Sequence, residues 1–121
     1  MFIDLHCHTR PLSACSALTA QDLLQLAVER GLGGVCLTEH DRAWDDDELR
    51  LLREAAPIPV FSAVELTTDM GHVLAFGLPP RGFSAIAREV FAAAQASGAL
   101  LFLAHPARDG LLRVTHETVE Y

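Results

Sequence analysis

Short apolar runs that stop at a histidine or a glutamate, alternating with amphipathic helical stretches, constrain this 121-residue chain more than any other feature. Phe2 to Leu5 is the first run, short enough for a buried strand and followed at once by histidine-rich polar sequence. Thr19 then stands before AQDLLQLAVERG, where Leu23, Leu24, Ala27 and Val28 fall at helical spacing, Asp22 completes a capping box and Gly31 closes the segment. Gly34 to Leu37 gives a second buried strand, running into Thr38-Glu39-His40-Asp41. Asp45 to Ala56 has an acidic start and an apolar face of Leu49 and Leu52, stopped by Pro57, as a third-to-fourth-turn helix would. Pro59 to Val64 leads to Glu65 as a third strand, and His72 to Gly77 follows so closely that the connection predicts a hairpin-like return. Ser84 is placed to cap a helix from Ala85 to Ser97 with Gly98 as its stop, and Ala99 to Ala104 is the last apolar strand before His105-Pro106. Strands and helices alternating at this spacing predict parallel βα units, an α/β fold, rather than a sandwich or a bundle.

In such folds the C-terminal ends of the strands form one face, and sites assemble there. His6, His8, His40, Glu65 and His105 are therefore expected to converge. His6 and His8 are two apart in an extended segment, where side chains point the same way and two imidazoles can grip one ion. An isolated pair of this kind serves equally well as hydrogen-bonded loop histidines. His40, between Glu39 and Asp41, reads alone as a capping or core histidine or as a ligand with an orienting carboxylate nearby. Glu65 follows a buried strand and needs a partner; a metal, an arginine or an exit to the surface would each supply one. His72 joins the set near the start of its strand, whereas His116 lies in the weakly patterned tail and is assigned to solvent.

The 16 acidic against 9 basic residues give a formal charge of −7, which repels phosphate backbones and disfavours nucleic acid as a generic partner. Bound cations would reverse that locally. Three cysteines without CxxC spacing point to a reducing cytoplasm, and neither an export signal nor a long apolar span is visible.

Asp4-Leu5-His6-Cys7-His8-Thr9, Thr38-Glu39-His40-Asp41, Val64-Glu65, Gly71-His72-Val73 and Ala104-His105-Pro106, in that order, resemble the successive motifs of the PHP (polymerase and histidinol phosphatase) superfamily. The resemblance implies a distorted, TIM-like (β/α)7 barrel, here partial and lacking its C-terminal strands, with a two- or three-metal centre that hydrolyses phosphoesters. It places His6 and His8 on a first divalent ion, Glu65 as the bridge, His72 and His105 on a second, and His40 on a third. The ions would be manganese, zinc or iron. Two departures stand out. Where family members often carry an Asp or His shortly after the HxH motif, this chain reads Ser13-Ala14-Cys15-Ser16, with Cys15 a soft substitute, and no Asp-x-His motif follows His105.

The expected function is a metal-dependent phosphoesterase acting on a small phosphate ester. Glu65 sets the spacing of the ions, and Glu39 or Asp41 orients a ligand histidine or accepts a proton. Arg10 and Arg108 follow metal-motif segments and are candidates to hold the substrate phosphate, or are simply solvated surface. An amidohydrolase-like enzyme cleaving a C–N bond and a non-catalytic metal-binding scaffold are the alternatives. A closed eight-stranded barrel takes about 250 residues, so residues 1–121 supply roughly half of one. A fragment of a longer chain or a homo-oligomer is expected, because the last apolar strand would otherwise lack a partner.

Overall fold

The computed structural model describes residues 1–79 and 82–108; the assignment of His116 to solvent and the tail reading fall outside them. Five strands and three helices follow in the order β1 (Ile3–Cys7), α1 (Ala20–Glu29), β2 (Gly34–His40), α2 (Asp46–Ala55), β3 (Val60–Thr68), β4 (Gly71–Phe76), α3 (Ala87–Ser97) and β5 (Leu100–Leu103). The strands form one curled, half-barrel sheet in sequential order.

β1, β2 and β3 are parallel, joined by right-sized helical crossovers, but β4 is antiparallel to both β3 and β5. The expectation of uniformly parallel βα units is corrected here. Only Asp69 and Met70 separate β3 from β4, and a parallel connection needs a dozen residues or more. The chain must turn back, with Gly71 at φ 111° easing the reversal. The reversal has a consequence for the site, because the first residues of β4 now lie beside the last residues of β3, where Thr67 pairs with His72.

The helices begin and end where side chains satisfy their free backbone groups. Thr19 and Asp22 form a reciprocal capping box on α1, and Asp45 accepts from the amides of Asp47 and Glu48 on α2. α3 starts later than Ser84 suggests. The Ser84 hydroxyl is taken up by the Ile86 amide and the Glu89 carboxylate, and the free Ala87 amide is capped from outside by Asp69 at 2.8 Å. Gly98 ends the helix in the left-handed conformation, φ 71°.

All three helices cover the same face of the sheet. α1 and α2 bury Ala20, Leu24, Ala27, Leu49 and Leu52 against Cys7, Val35, Leu37 and Val60. α3 buries Val90 against Val64, Leu66 and Ala75. Fully burying a side chain such as Leu37 or Leu66 stabilises the fold by roughly 1.5–3 kcal/mol. Strand alternation then sends Phe61, Glu65, His72, Leu74 and, by register, Leu100 and Phe102 to the opposite face. That face is apolar at one end, where Phe61, Leu100 and Phe102 remain exposed, and rich in imidazole at the other.

Candidate metal centre

The parity that buries Val64 and Leu66 under α3 turns Glu65 to the opposite face, where its side chain is nonetheless almost wholly buried, 1 % exposed. Around it stand five imidazoles. His6 Nε2 lies 2.9 Å and His8 Nε2 2.8 Å from Glu65 Oε2, with His40 Nδ1 at 3.5 Å from the same oxygen. His72 Nδ1 at 2.9 Å and His105 Nε2 at 2.8 Å face the other oxygen, Oε1. The rings follow one another in a closed circuit, His6 to His8 to His40 to His72 to His105 and back, with centroids 4.5 to 6.0 Å apart.

Each side chain reaches this point by its own local route. β1 carries one extra residue against β2 between Asp4 and Cys7, so the strand bends as it ends. Cys7 turns into the core, and His6 and His8 on either side of it turn to Glu65. His40 ends β2 directly opposite Glu65 in register. His72 arrives from the reversed strand. His105 follows β5 with φ 31°, a conformation in which non-glycine residues are uncommon and which gathers at functional positions.

Burial alone would raise the Glu65 carboxyl, but hydrogen bonds from His6, His72 and His105 outweigh it and hold the group at about 2. His8 is lowered, first by burial and then by the positive charge of neighbouring His40 and His6, against the pull of Glu65. A neutral His8 and an ionised Glu65 are the protonation states that ligate metal.

The donor set fits a cation. His6 Nε2 and His8 Nε2 are 3.0 Å apart while both crowd one carboxylate oxygen. Ligands at 2.0–2.1 Å from a tetrahedral ion stand roughly 3.3 Å from each other, close to that spacing. His6 with His8 and Glu65, and His40 with Glu65 and His72, each bring three ligand atoms within 4.8 Å of one another. With one oxygen facing His6 and His8 and the other facing His72 and His105, Glu65 has the geometry of a bridging carboxylate.

The remaining candidates lie elsewhere. Glu39 is fully buried, but on the helix side of β2. Its carboxylate accepts from the Thr9 amide and hydroxyl, the Ser13 hydroxyl and, at 3.1 Å, the Trp44 indole. Its oxygens are taken up by these donors, and it reaches the ligands through Ser13 and, by its charge, at His8. That hydroxyl gives its one proton to Glu39, receives the His40 amide at 3.2 Å, and lies 3.4 Å from His8 Nδ1. As an acceptor towards His8 it favours the Nδ1–H tautomer, which leaves Nε2 bare on the Glu65 side.

Asp41 is exposed with φ 54° and ties β2 to β3, accepting from the Thr67 amide and hydroxyl at 2.6 and 2.8 Å. Arg10 is exposed and near Asp22, whose carboxyl is lowered first by Thr19 hydrogen bonds and then by the Arg10 charge. Arg108 is exposed beyond His105. Thr9, Ser13 and Trp44 were not singled out as site residues by sequence. The period-two run Val35, Leu37, Glu39 was the available signal, since it places a carboxylate on the helix-covered face where it must find donors.

No protein-family model matches the sequence. The chain is 35% identical over 78 residues to an error-prone DNA polymerase of Cutibacterium acnes, a match covering 64% of this chain and 6% of that protein. A solved structure from Bifidobacterium adolescentis, described as a metal-dependent phosphoesterase, superposes with a TM-score of 0.56 at 32% identity, over 66% of this chain and 29% of that one. An amidohydrolase from Chromobacterium violaceum, solved with sulfate and no metal, gives 0.54 at 28% identity over 68% and 30%. The chain thus spans under a third of each of these relatives. Together with the ordered motifs, these matches support a PHP superfamily domain. Among the described residues no helix is long and apolar enough to cross a membrane.

Proposed function

We propose that this chain is the metal-binding portion of a partial (β/α)7 PHP barrel that hydrolyses a small phosphate ester. The observation that carries the reading is a single buried carboxylate whose two oxygens face separate pairs of imidazoles. His6 and His8 hold one divalent ion, His72 and His105 a second, and Glu65 bridges them, with His40 beside the first pair. Manganese, zinc and iron all suit such nitrogen and oxygen donors. When bound, the ions supply Lewis acidity towards phosphoryl oxygens and a nucleophile at neutral pH.

The protein's own part is orientation. Glu39 fixes Ser13, Ser13 orients His8, and Asp41 pins the ends of β2 and β3 so that His40 and Glu65 keep their register. Arg10 and Arg108, both exposed, are the cations offered to the substrate phosphate. The exposed Phe61, Leu100 and Phe102 are covered by a second copy or by further strands of a longer chain.

Two other outcomes are tied to particular neighbours. The amidohydrolase favours C–N bond cleavage at the same centre, and the similarity to part of a polymerase leaves a module that binds metal without turnover as the other reading. Elemental analysis after chelator-free purification should find at least one divalent ion per chain, and p-nitrophenyl phosphate should turn over with added manganese. Tight metal binding without ester hydrolysis under any of the three metals would support the non-catalytic module, and turnover of an amide alone would support the amidohydrolase. Light scattering of the isolated chain should show an oligomer.

A further inference from the structure

The helix-covered side of the sheet carries a groove that the imidazole centre does not use. Leu24 and Val28 of α1 face Leu51, Leu52 and Ala55 of α2 across a space of about 740 Å³, and Trp44, just ahead of α2, stands in its wall. Leu24 and Leu52 are buried and continue into the core beneath the helices. Val28 and Leu51 are left on the lips, 43 % and 57 % exposed, and Trp44 is half-buried. A single exposed leucine is ordinary, but here exposed and half-buried apolar side chains from both helices line one trough.

The charges lining that trough, among the described residues, are two carboxylates and no arginine: Glu29 at the end of α1 and Glu48 in the first turn of α2. Both helices are crossovers between parallel strands, so they run in the same direction and the two acids stand towards opposite ends of the groove. Asp45, Asp46 and Asp47 deepen the negative charge at the Glu48 end. The arginines of α2 are engaged elsewhere, Arg50 with Asp47 and Glu54 at 3.7 and 2.9 Å and Arg53 donating to the Val60 carbonyl at 2.8 Å.

This charge selects the occupant. Nucleic acid and anionic lipid are repelled, and a second copy of this chain, at −7, brings more of the same sign. A small apolar ligand is fixed by polar groups that converge on it, whereas these two acids are separated by much of the length of a ten-residue helix, about 15 Å. An elongated occupant with an apolar stripe and cationic ends matches both features, and an amphipathic helix laid in a groove has that form. We propose that the α1–α2 groove docks a basic amphipathic helix of a partner protein, its apolar side chains at i, i+3 or i+4 and i+7 over Val28, Leu51 and Trp44 and its arginines or lysines against Glu29 and Glu48. The groove lies across the sheet from Glu65, so docking leaves the imidazole face open, and the inference stands apart from the metal-centre reading.

Trp44 is the single tryptophan of the chain, so its emission reports on the groove directly. The probe is a tryptophan-free peptide of about 15 residues, long enough to form a helix on docking, with leucines at i, i+4, i+7 and i+11 and arginines among alanines elsewhere. A control peptide carries glutamate for each arginine. The basic peptide should move Trp44 emission saturably to shorter wavelength, and the acidic peptide should leave it in place. Val28→Asp with Leu51→Asp alters two exposed positions and should weaken binding about tenfold or more, although it adds negative charge. Glu29→Gln with Glu48→Gln should weaken it about threefold and flatten its dependence on salt. Equal binding of both peptides, or an affinity for the basic peptide that Val28→Asp with Leu51→Asp leaves unchanged, overturns the proposal. Trp44 emission that stays fixed up to millimolar peptide overturns it too, and a small apolar dye that shifts Trp44 where neither peptide does would make the groove a small-ligand pocket instead.

Discussion

Glu39 and Glu65 are two buried carboxylates on neighbouring strands, at 0 % and 1 % exposure, and they have opposite fates. Glu39 faces the helices and is satisfied by a backbone amide, two hydroxyls and an indole. None of those donors can exchange its proton for a metal at neutral pH, so the pocket is a permanent anchor. Glu65 faces the open side, and its partners among the described residues are imidazoles. Each of these can offer a lone pair, so the same pocket suits a metal ion. The chemistry of the donors, more than the burial of the acid, separates scaffold from centre.

That contrast can be broken by substitution. Glu39→Ala strands several buried donors at once and should cost about 4 kcal/mol of stability in urea unfolding with chelator present; a loss below about 1 kcal/mol would mean the pocket is no anchor. The Glu65 carboxyl sits at about 2 in the fold against an ordinary 4.5. Its depressed value stabilises the chelated protein fully above pH 4.5, and roughly 3 kcal/mol of that is lost as pH falls towards 2. Acid titration of wild type and Glu65→Gln should differ across that window, and superimposable curves would refute the assignment.

Metal affinity separates the two acids further. Glu65→Gln should weaken zinc and manganese binding more than about 100-fold in chelator competition, beyond the 10–100-fold typical of groups that only support a ligand. Ser13→Ala, which takes away the hydroxyl between Glu39 and His8, should fall within that lower range, and Ser13→Thr should restore part of it. If His8 loses its Nδ1–H pattern in nitrogen NMR only in Ser13→Ala, the orienting role is confirmed; an unchanged pattern would discard it. Smallest, Trp44→Phe removes one indole donor and should cost about 1 kcal/mol with metal affinity unchanged.

Much of the scaffold was legible because strands and helices betray their periods. The capping box at Thr19 and the glycine stop at Gly98 are local signals, and local signals survive into the fold. The direction of β4 was half legible. The short connection predicted a return, but the sheet around it was read as parallel, since alternation of elements says nothing about the sense of a strand reached by a two-residue turn. The start of α3 misled because its cap comes from Asp69, eighteen residues away and invisible to sequence spacing.

The imidazole cluster was readable in outline because strand ends share one edge of the sheet. Its supporting shell was not. Thr9, Ser13 and Trp44 meet Glu39 only because the loop after β1 folds back beneath β2, a tertiary event that no residue spacing encodes.

One consequence follows from where the circuit of rings closes. β1 and β5 are the opposite borders of the sheet, yet His6 and His105 stack with centroids 6.0 Å apart. Two ions bridged by Glu65, one on His6 and one on His105, would act as a clasp joining the first and last strands, so the bow of the whole sheet would tighten on loading and slacken on stripping. Amide exchange along β1 and β5, rather than in the hairpin between β3 and β4, is where that change of tension would be felt.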